Sequence, residues 1–136
     1  MNSPQLTPAE TTKLLKTAKS MLPQAYAIYS QFRVGAAVLT EQGNIFAGCN
    51  VENVSYGLTV CAERNAIAAA VAAEGGEKMK IRAIAVANAQ NVPCSPCGAC
   101  RQVIWEFGRN AVVIFQGDNG QQTVSIEQLL PSGFSW

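Results

Sequence analysis

Three cysteines fall within the eight residues PCSPCGAC, 93–100, and the 136-residue chain contains no histidine. Together these two facts constrain the fold more than any other feature. Five cysteines, an odd number, in a chain long enough to bury a core without cross-links are poorly explained as a disulfide framework, and metal binding or redox chemistry explains them better. Without imidazole, a zinc site must use thiolates or carboxylates, and a general base must be some other group. These exclusions narrow the chemistry open to the chain.

Hydrophobic periodicity and capping signals outline those segments. In TPAETTKLLKTAKSML, Thr7 reads as an N-cap, Pro8 as the first helical residue and Glu10 as its capping-box partner. Leu14, Leu15, Ala18, Met21 and Leu22 recur at helical spacing, and Pro23 ends or kinks the helix. A hairpin follows, Val34 to Thr40 and Ile45 to Val51, around the turn EQGN. CAERNAIAAAVAAEGG reads as an alanine-rich helix closed by Gly75 and Gly76, and IRAIAVAN as a buried strand. A helix in ACRQVIWEF stops at Gly108; AVVIFQ is a strand, DNGQQ a turn, TVSI a short edge strand, and SIEQLLP a last helical turn capped by Ser125. The order α, β, β, α, β, α, β, β, α predicts an α/β protein with a mixed sheet covered by helices. No repeat or linker interrupts it, so residues 1–136 are expected to form one domain.

Two of the helix starts carry cysteine. TVCAERNAI opens a helix at Cys61 with Glu63 in its first turn, and SPCGACRQ opens another with Cys97 and Cys100. A helix N-terminus offers free N–H groups and partial positive charge, which favour thiolates. Two such ends facing each other would suit a thiolate-bound zinc ion. Three sulfur ligands leave one tetrahedral position open, as in catalytic sites, whereas four close it. The count turns on Cys94, because P-C-x-x-C matches both at 93–97 and at 96–100. Pro96 leading into a helix favours Cys97 and Cys100, with Cys94 and Cys49 as bystanders, but spacing alone leaves both pairs open.

Cys61-Ala62-Glu63 together with Pro96-Cys97-Gly98-Ala99-Cys100 resembles the zinc nucleobase deaminase signature in its three-cysteine form. YSQFRVGAAV, GCNVENVSYGLTVCAERNAI, SPCGACRQVIWEF and LLPSGF extend the likeness, from about Tyr29 to Phe134, to the small homotetrameric cytidine deaminases. That resemblance implies a three-layer α/β/α sandwich with a five-stranded mixed sheet. It also implies hydrolytic removal of the 4-amino group of cytidine and 2′-deoxycytidine, as in pyrimidine salvage. Cys61, Cys97 and Cys100 would hold one Zn²⁺ per subunit, with Glu63 as the proton shuttle. Asn50 and Glu52 would hydrogen-bond the ribose, and Phe32 would lie against the nucleoside. The Ala62 N–H would meet the base carbonyl and the Ser95 carbonyl the amine, while Phe134 would stack on the base in a neighbouring subunit's pocket. Arg64 would hydrogen-bond ligand sulfur and withdraw its charge.

The totals exclude other classes. A formal net charge of +1 with scattered basic residues lacks the basic surface that nucleic-acid binding requires. The N-terminus shows no charged leader followed by an apolar run, and no stretch approaches the roughly 18 apolar residues of a membrane span, so a cytoplasmic location is expected. Three rival readings stay in view. One is a structural zinc module closed by Cys94, and another a thioredoxin-like dithiol at Cys97 and Cys100, which leaves Cys61-Ala-Glu63 unexplained. The third is a deaminase of the nucleoside antibiotic blasticidin S, whose family the tail LLPSGFSW also resembles.

Overall fold

The computed structural model describes residues 6–136. Helix α1, Pro8–Ser20, starts on the expected capping box: Thr7 Oγ1 accepts from the Glu10 N–H, and the Glu10 side chain accepts from the Thr7 N–H. A 3₁₀ turn at Leu22–Gln24, containing Pro23, follows it. The remaining elements are β1 Val34–Thr40, β2 Ile45–Cys49, a second 3₁₀ turn at Tyr56–Leu58, α2 Ala62–Glu74, β3 Ile81–Asn88, α3 Gly98–Phe107, β4 Val112–Gly117, β5 Gly120–Ser125 and α4 Ile126–Leu129.

The five strands form one sheet in the order β2-β1-β3-β4-β5. Only β3 and β4 run parallel; every other neighbouring pair is antiparallel. A parallel pair needs a crossover, and α3 with the loop before it supplies one. The alternation of side chains along each strand divides the core in two. Leu14 and Ala18 of α1 pack on Ala37, Leu39, Ala83, Ala85 and Ile114 on one face. Ala62, Ala66, Ile67 and Ala70 of α2, with Ile104 of α3 and Ile126, pack on Ala36, Val38, Ile84, Val86 and Val113 on the other. The result is the α/β/α sandwich implied by the resemblance. With both faces covered, β1 is buried along its whole length and β3 at all but one residue, which is why these strands read as nearly unbroken apolar runs.

Two strands differ from their sequence reading. The hairpin partner of β1 ends at Cys49, paired with Gly35, rather than at Val51. There Val51 leaves the hairpin and bridges both Tyr26 and Val60, drawing together the segments that precede β1 and α2. At the other edge, the chain turns tightly at Asp118 and Asn119. As a result, β5 begins at Gly120, and Gln121 and Gln122 are strand residues paired with Gln116 and Phe115. A polar edge strand carries no apolar alternation, so nothing in its composition announces it.

Helix α2 lies on β2 at backbone distance. A Cβ built on Gly48 would stand 2.4 Å from Ala66 N and 2.7 Å from Ala62 O. Glycine on the strand and alanine on the helix are both needed for this approach. The alanine run is thereby accounted for in part: Ala66 and Ala70 face the sheet, while Ala68, Ala69, Ala72 and Ala73 are exposed. This contact fixes the height of the α2 N-terminus above the sheet. Gly48→Ala should therefore lower stability by about 1–3 kcal/mol through overpacking. Gly76→Ala, where the nearest side-chain atom is 3.9 Å away, should shift it by less than about 1 kcal/mol. Denaturant titration of the two variants checks the contrast.

Candidate metal centre and substrate cavity

The N-termini of α2 and α3 meet over the end of the sheet where β1 begins and β3 finishes, Val34 being paired with Asn88. Cys61 is the N-cap of α2 and Cys97 the N-cap of α3, while Cys100 sits in the first turn of α3. Both cysteine-bearing helix starts thus lie where the sequence predicts. The Cys61 and Cys97 sulfurs stand 3.9 Å apart, and all three sulfurs lie within 4.8 Å of one another. Zinc–sulfur bonds of about 2.3 Å in tetrahedral geometry place sulfurs about 3.8 Å apart, so this trio fits the ion. Neither Cys94 nor Cys49 belongs to the cluster.

Hydrogen bonds and nearby charges tune the sulfurs. The Cys97 Sγ accepts from the Cys100 N–H at 3.5 Å, and Arg64 Nη2 donates to Cys61 Sγ at 3.4 Å. Against the opposing effect of burial, the Cys100 thiol and then Arg64 pull Cys61 down to about 5 by hydrogen bonding to its thiolate. The same interaction pushes Cys100 up, because its proton is the one the Cys61 thiolate holds. The Arg64 guanidinium is held above its already high value by Cys61. Arg64 Nε is buried and has no hydrogen-bond partner among the described residues.

Glu63 follows Cys61 into the helix and is only 5% exposed. Burial pushes its carboxyl up to about 7, and the Cys61 charge adds to the effect. A carboxyl balanced near neutral pH can both take and return a proton there.

Beside the sulfurs opens a cavity of about 250 Å³, lined by Phe32, Asn50, Glu52, Cys61, Ala62, Glu63, Ser95 and Cys97, together with Ser30, Val34, Thr59 and Cys94. All the residues expected to contact substrate are therefore gathered in one wall, except Phe134. Phe134 is 67% exposed and packs edge-to-face on Trp136 instead. A second cavity of about 400 Å³ adjoins the first, sharing Ser30, Glu52 and Thr59 with it and adding Tyr29 and Tyr56.

Asn50 and Glu52 also shape the wall. Asn50 Nδ2 donates to Phe32 O at 2.9 Å, and its Oδ1 accepts from the Val34 N–H at 2.9 Å. Glu52 accepts from the N–H groups of Tyr29 and Ser30 at 2.9 and 3.1 Å and from the Ser30 hydroxyl. These bonds, that of the Ser30 hydroxyl foremost, hold its carboxyl below the usual range. The clasp steadies a turn in which Gln31 takes a left-handed φ of 60°. Sequence reasoning missed Ser30, Thr59 and Arg101; Cys94, read as a bystander to the metal, stays outside the sulfur cluster but lines the cavity. Arg101 ties the wall from behind, donating to Pro96 O at 2.8 Å and Ser95 Oγ at 3.0 Å. An arginine directly after a ligand cysteine was the available signal.

Comparison with known proteins agrees with this arrangement. A family model described as the cytidine and deoxycytidylate deaminase zinc-binding region matches residues 8–116. A cytidine deaminase from Sporosarcina psychrophila is 45% identical over 130 residues, covering 93% of this chain and 92% of the relative. The crystal structure of cytidine deaminase from Mycobacterium tuberculosis superposes with a TM-score of 0.81 at 35% identity, covering 93% of this chain and 98% of that one. That from Burkholderia pseudomallei gives 0.79 at 42% identity, covering 95% and 100%. The sulfur trio, the fold that assembles it and these likenesses agree, and the chain belongs to the cytidine and deoxycytidylate deaminase zinc-binding family.

Proposed function

We propose that the protein catalyses the zinc-dependent hydrolytic deamination of cytidine and 2′-deoxycytidine to uridine and 2′-deoxyuridine, with release of ammonia. The observation that carries this reading is a three-thiol cluster, its sulfurs within 4.8 Å of one another, at the wall of a cavity that also holds a buried carboxyl. Cys61, Cys97 and Cys100 hold the metal. Bound zinc supplies a Lewis acid that lowers the pKa of water from 15.7 to about 7, which makes a nucleophile available at neutral pH.

The chain's own groups do the rest. Glu63 takes the proton lost by water as oxygen adds to C4 of the pyrimidine, and delivers it to N3. The remaining proton on the added oxygen then passes through Glu63 to the amino nitrogen, the C4–N bond breaks as the C4 carbonyl forms, and ammonia leaves. Ala62, at the positive end of α2, offers its N–H to the base carbonyl, and the Ser95 carbonyl accepts from the amine. Phe32 packs against the nucleoside. Asn50 and Glu52 have lone pairs and an amide proton left for the ribose hydroxyls after their backbone bonds are made. Arg64 draws charge from Cys61; three thiolates around a divalent ion carry net charge −1, which would otherwise weaken the activation of water.

The same reading makes the protein a cytoplasmic homotetramer in which Phe134 of one subunit stacks on the base bound by another. Support for an oligomer is the exposed apolar surface: Tyr26, Ile28, Val51, Val54, Tyr56 and Leu58 are 44–76% exposed, and Tyr56 lines the second cavity. Among the described residues, no helix is long and apolar enough to cross a membrane.

The reading is tested by ammonia release from cytidine. Glu63→Gln should retain one zinc per chain and lose about 100- to 10,000-fold in kcat; a zinc-loaded variant with wild-type turnover overturns the role of Glu63. Arg64→Gln should also keep zinc but turn over about 10- to 100-fold more slowly, and a normal rate contradicts the charge argument. Metal analysis separates the cysteines: Cys97→Ser should fall below one zinc per chain, whereas Cys94→Ser should still bind one.

A further inference from the structure

Helix α3 does more than present Cys97 and Cys100. Its next residues grip the C-terminal segment. Arg101 Nη1 donates to Leu129 O at 2.9 Å, tying the end of α4 to the helix whose start carries the zinc ligands. Beyond α4, Gly133 lies flat on Trp105, so close that an added Cβ would stand 2.8 Å from the indole ring. Gln102 closes the sequence of contacts: its Nε2 donates to Phe134 O at 2.9 Å, and its Oε1 accepts from the Phe134 N–H at 3.2 Å. A side-chain amide bonded to both backbone groups of one residue imitates one rung of a β-ladder. It fixes the position and rotation of that peptide while leaving the side chain outside the bond pattern. The Phe134 ring accordingly stands 67% exposed, edge-to-face against Trp136.

We infer that Gln102 is a positioning residue for substrate binding: it clamps the Phe134 backbone so that the ring is held in the direction from which it can reach a bound base. The inference rests on the reading that Phe134 stacks on substrate. It adds that the aim of the ring is set by the same helix that carries Cys97 and Cys100, through a residue outside both the sulfur cluster and the cavity lining. An exposed aromatic on an unclamped tail would have to be ordered anew at each binding event, and the clamp makes that entropy loss part of folding.

The test is a kinetic double-mutant cycle on the zinc-loaded enzyme with cytidine, using Gln102→Ala, Phe134→Ala and the double variant, with Tm and zinc content measured alongside. Stacking on the bound base is made in ground and transition states alike, so its loss raises KM more than it lowers kcat. Phe134→Ala should raise KM. Gln102→Ala should raise it about ten-fold, the scale of two neutral hydrogen bonds, and should add nothing in the Phe134→Ala background. Gln102→Glu, which keeps the acceptor for the Phe134 N–H and loses the donor, should fall between wild type and alanine. If Phe134→Ala raises KM while Gln102→Ala does not, or if the two effects add in full, the clamp is overturned and the stacking reading stands. An unchanged KM in Phe134→Ala overturns the stacking reading and the clamp with it. A fall in Tm or zinc content that accounts for the Gln102→Ala effect assigns Gln102 a purely structural part and also overturns the inference.

Discussion

Three sulfur atoms held within 4.8 Å of one another form an arrangement that a polypeptide does not adopt without compensation. As thiolates they repel one another, and as thiols they need hydrogen-bond partners in a partly buried place. The fold meets both demands by aiming two helix N-termini at the same point, with Cys61 and Cys97 as their N-caps. Free N–H groups and partial positive charge thus converge on the sulfurs from two directions, and Arg64 adds a full charge beside Cys61. Without metal, the trio shares its protons, Cys61 giving one up readily and Cys100 holding one. Metal binding displaces those protons, so affinity for the ion falls with pH as the thiolates are lost.

The sandwich makes this convergence possible. Helix α2 is lowered onto β2 until Gly48 meets the backbone of Ala66, which sets the height of Cys61. Helix α3 enters as the crossover between the parallel strands β3 and β4, which carries Cys97 to the same end of the sheet. Glu63 pays for its place: a carboxyl 5% exposed is less comfortable charged than it would be in water, and its elevated pKa of about 7 measures that discomfort. A feature unhelpful to stability is thus what the proposed chemistry would use, since a carboxyl that titrates near neutral pH can take and return a proton there.

Much of this was legible in the sequence because the signals are local. Thr7 with Glu10 marked the start of α1, and Ser125 that of α4. Pro96 before Cys97 marked the start of α3, and the apolar run IRAIAVAN marked a strand covered on both sides. The cluster of Cys61, Cys97 and Cys100 was legible once Cys61-Ala-Glu63 was set beside the second cysteine pair. What stayed hidden depends on contacts distant in sequence. The clasp of Glu52 on Ser30 joins residues 22 apart, and Val51 departs from the hairpin to bridge Tyr26 and Val60. Strand order follows from how the layers stack. Gln121 and Gln122 joined an edge strand whose exposed face gives polar residues no reason to alternate.

The central claim is that three sulfurs, and not four, surround the metal, leaving one position for a water-derived ligand. X-ray absorption at the zinc edge of the wild-type protein tests it most directly. The account predicts three sulfur scatterers at about 2.3 Å and one oxygen or nitrogen scatterer at about 2.0 Å. Four sulfur scatterers would bring Cys94 or Cys49 into the site, close it, and contradict the catalytic reading.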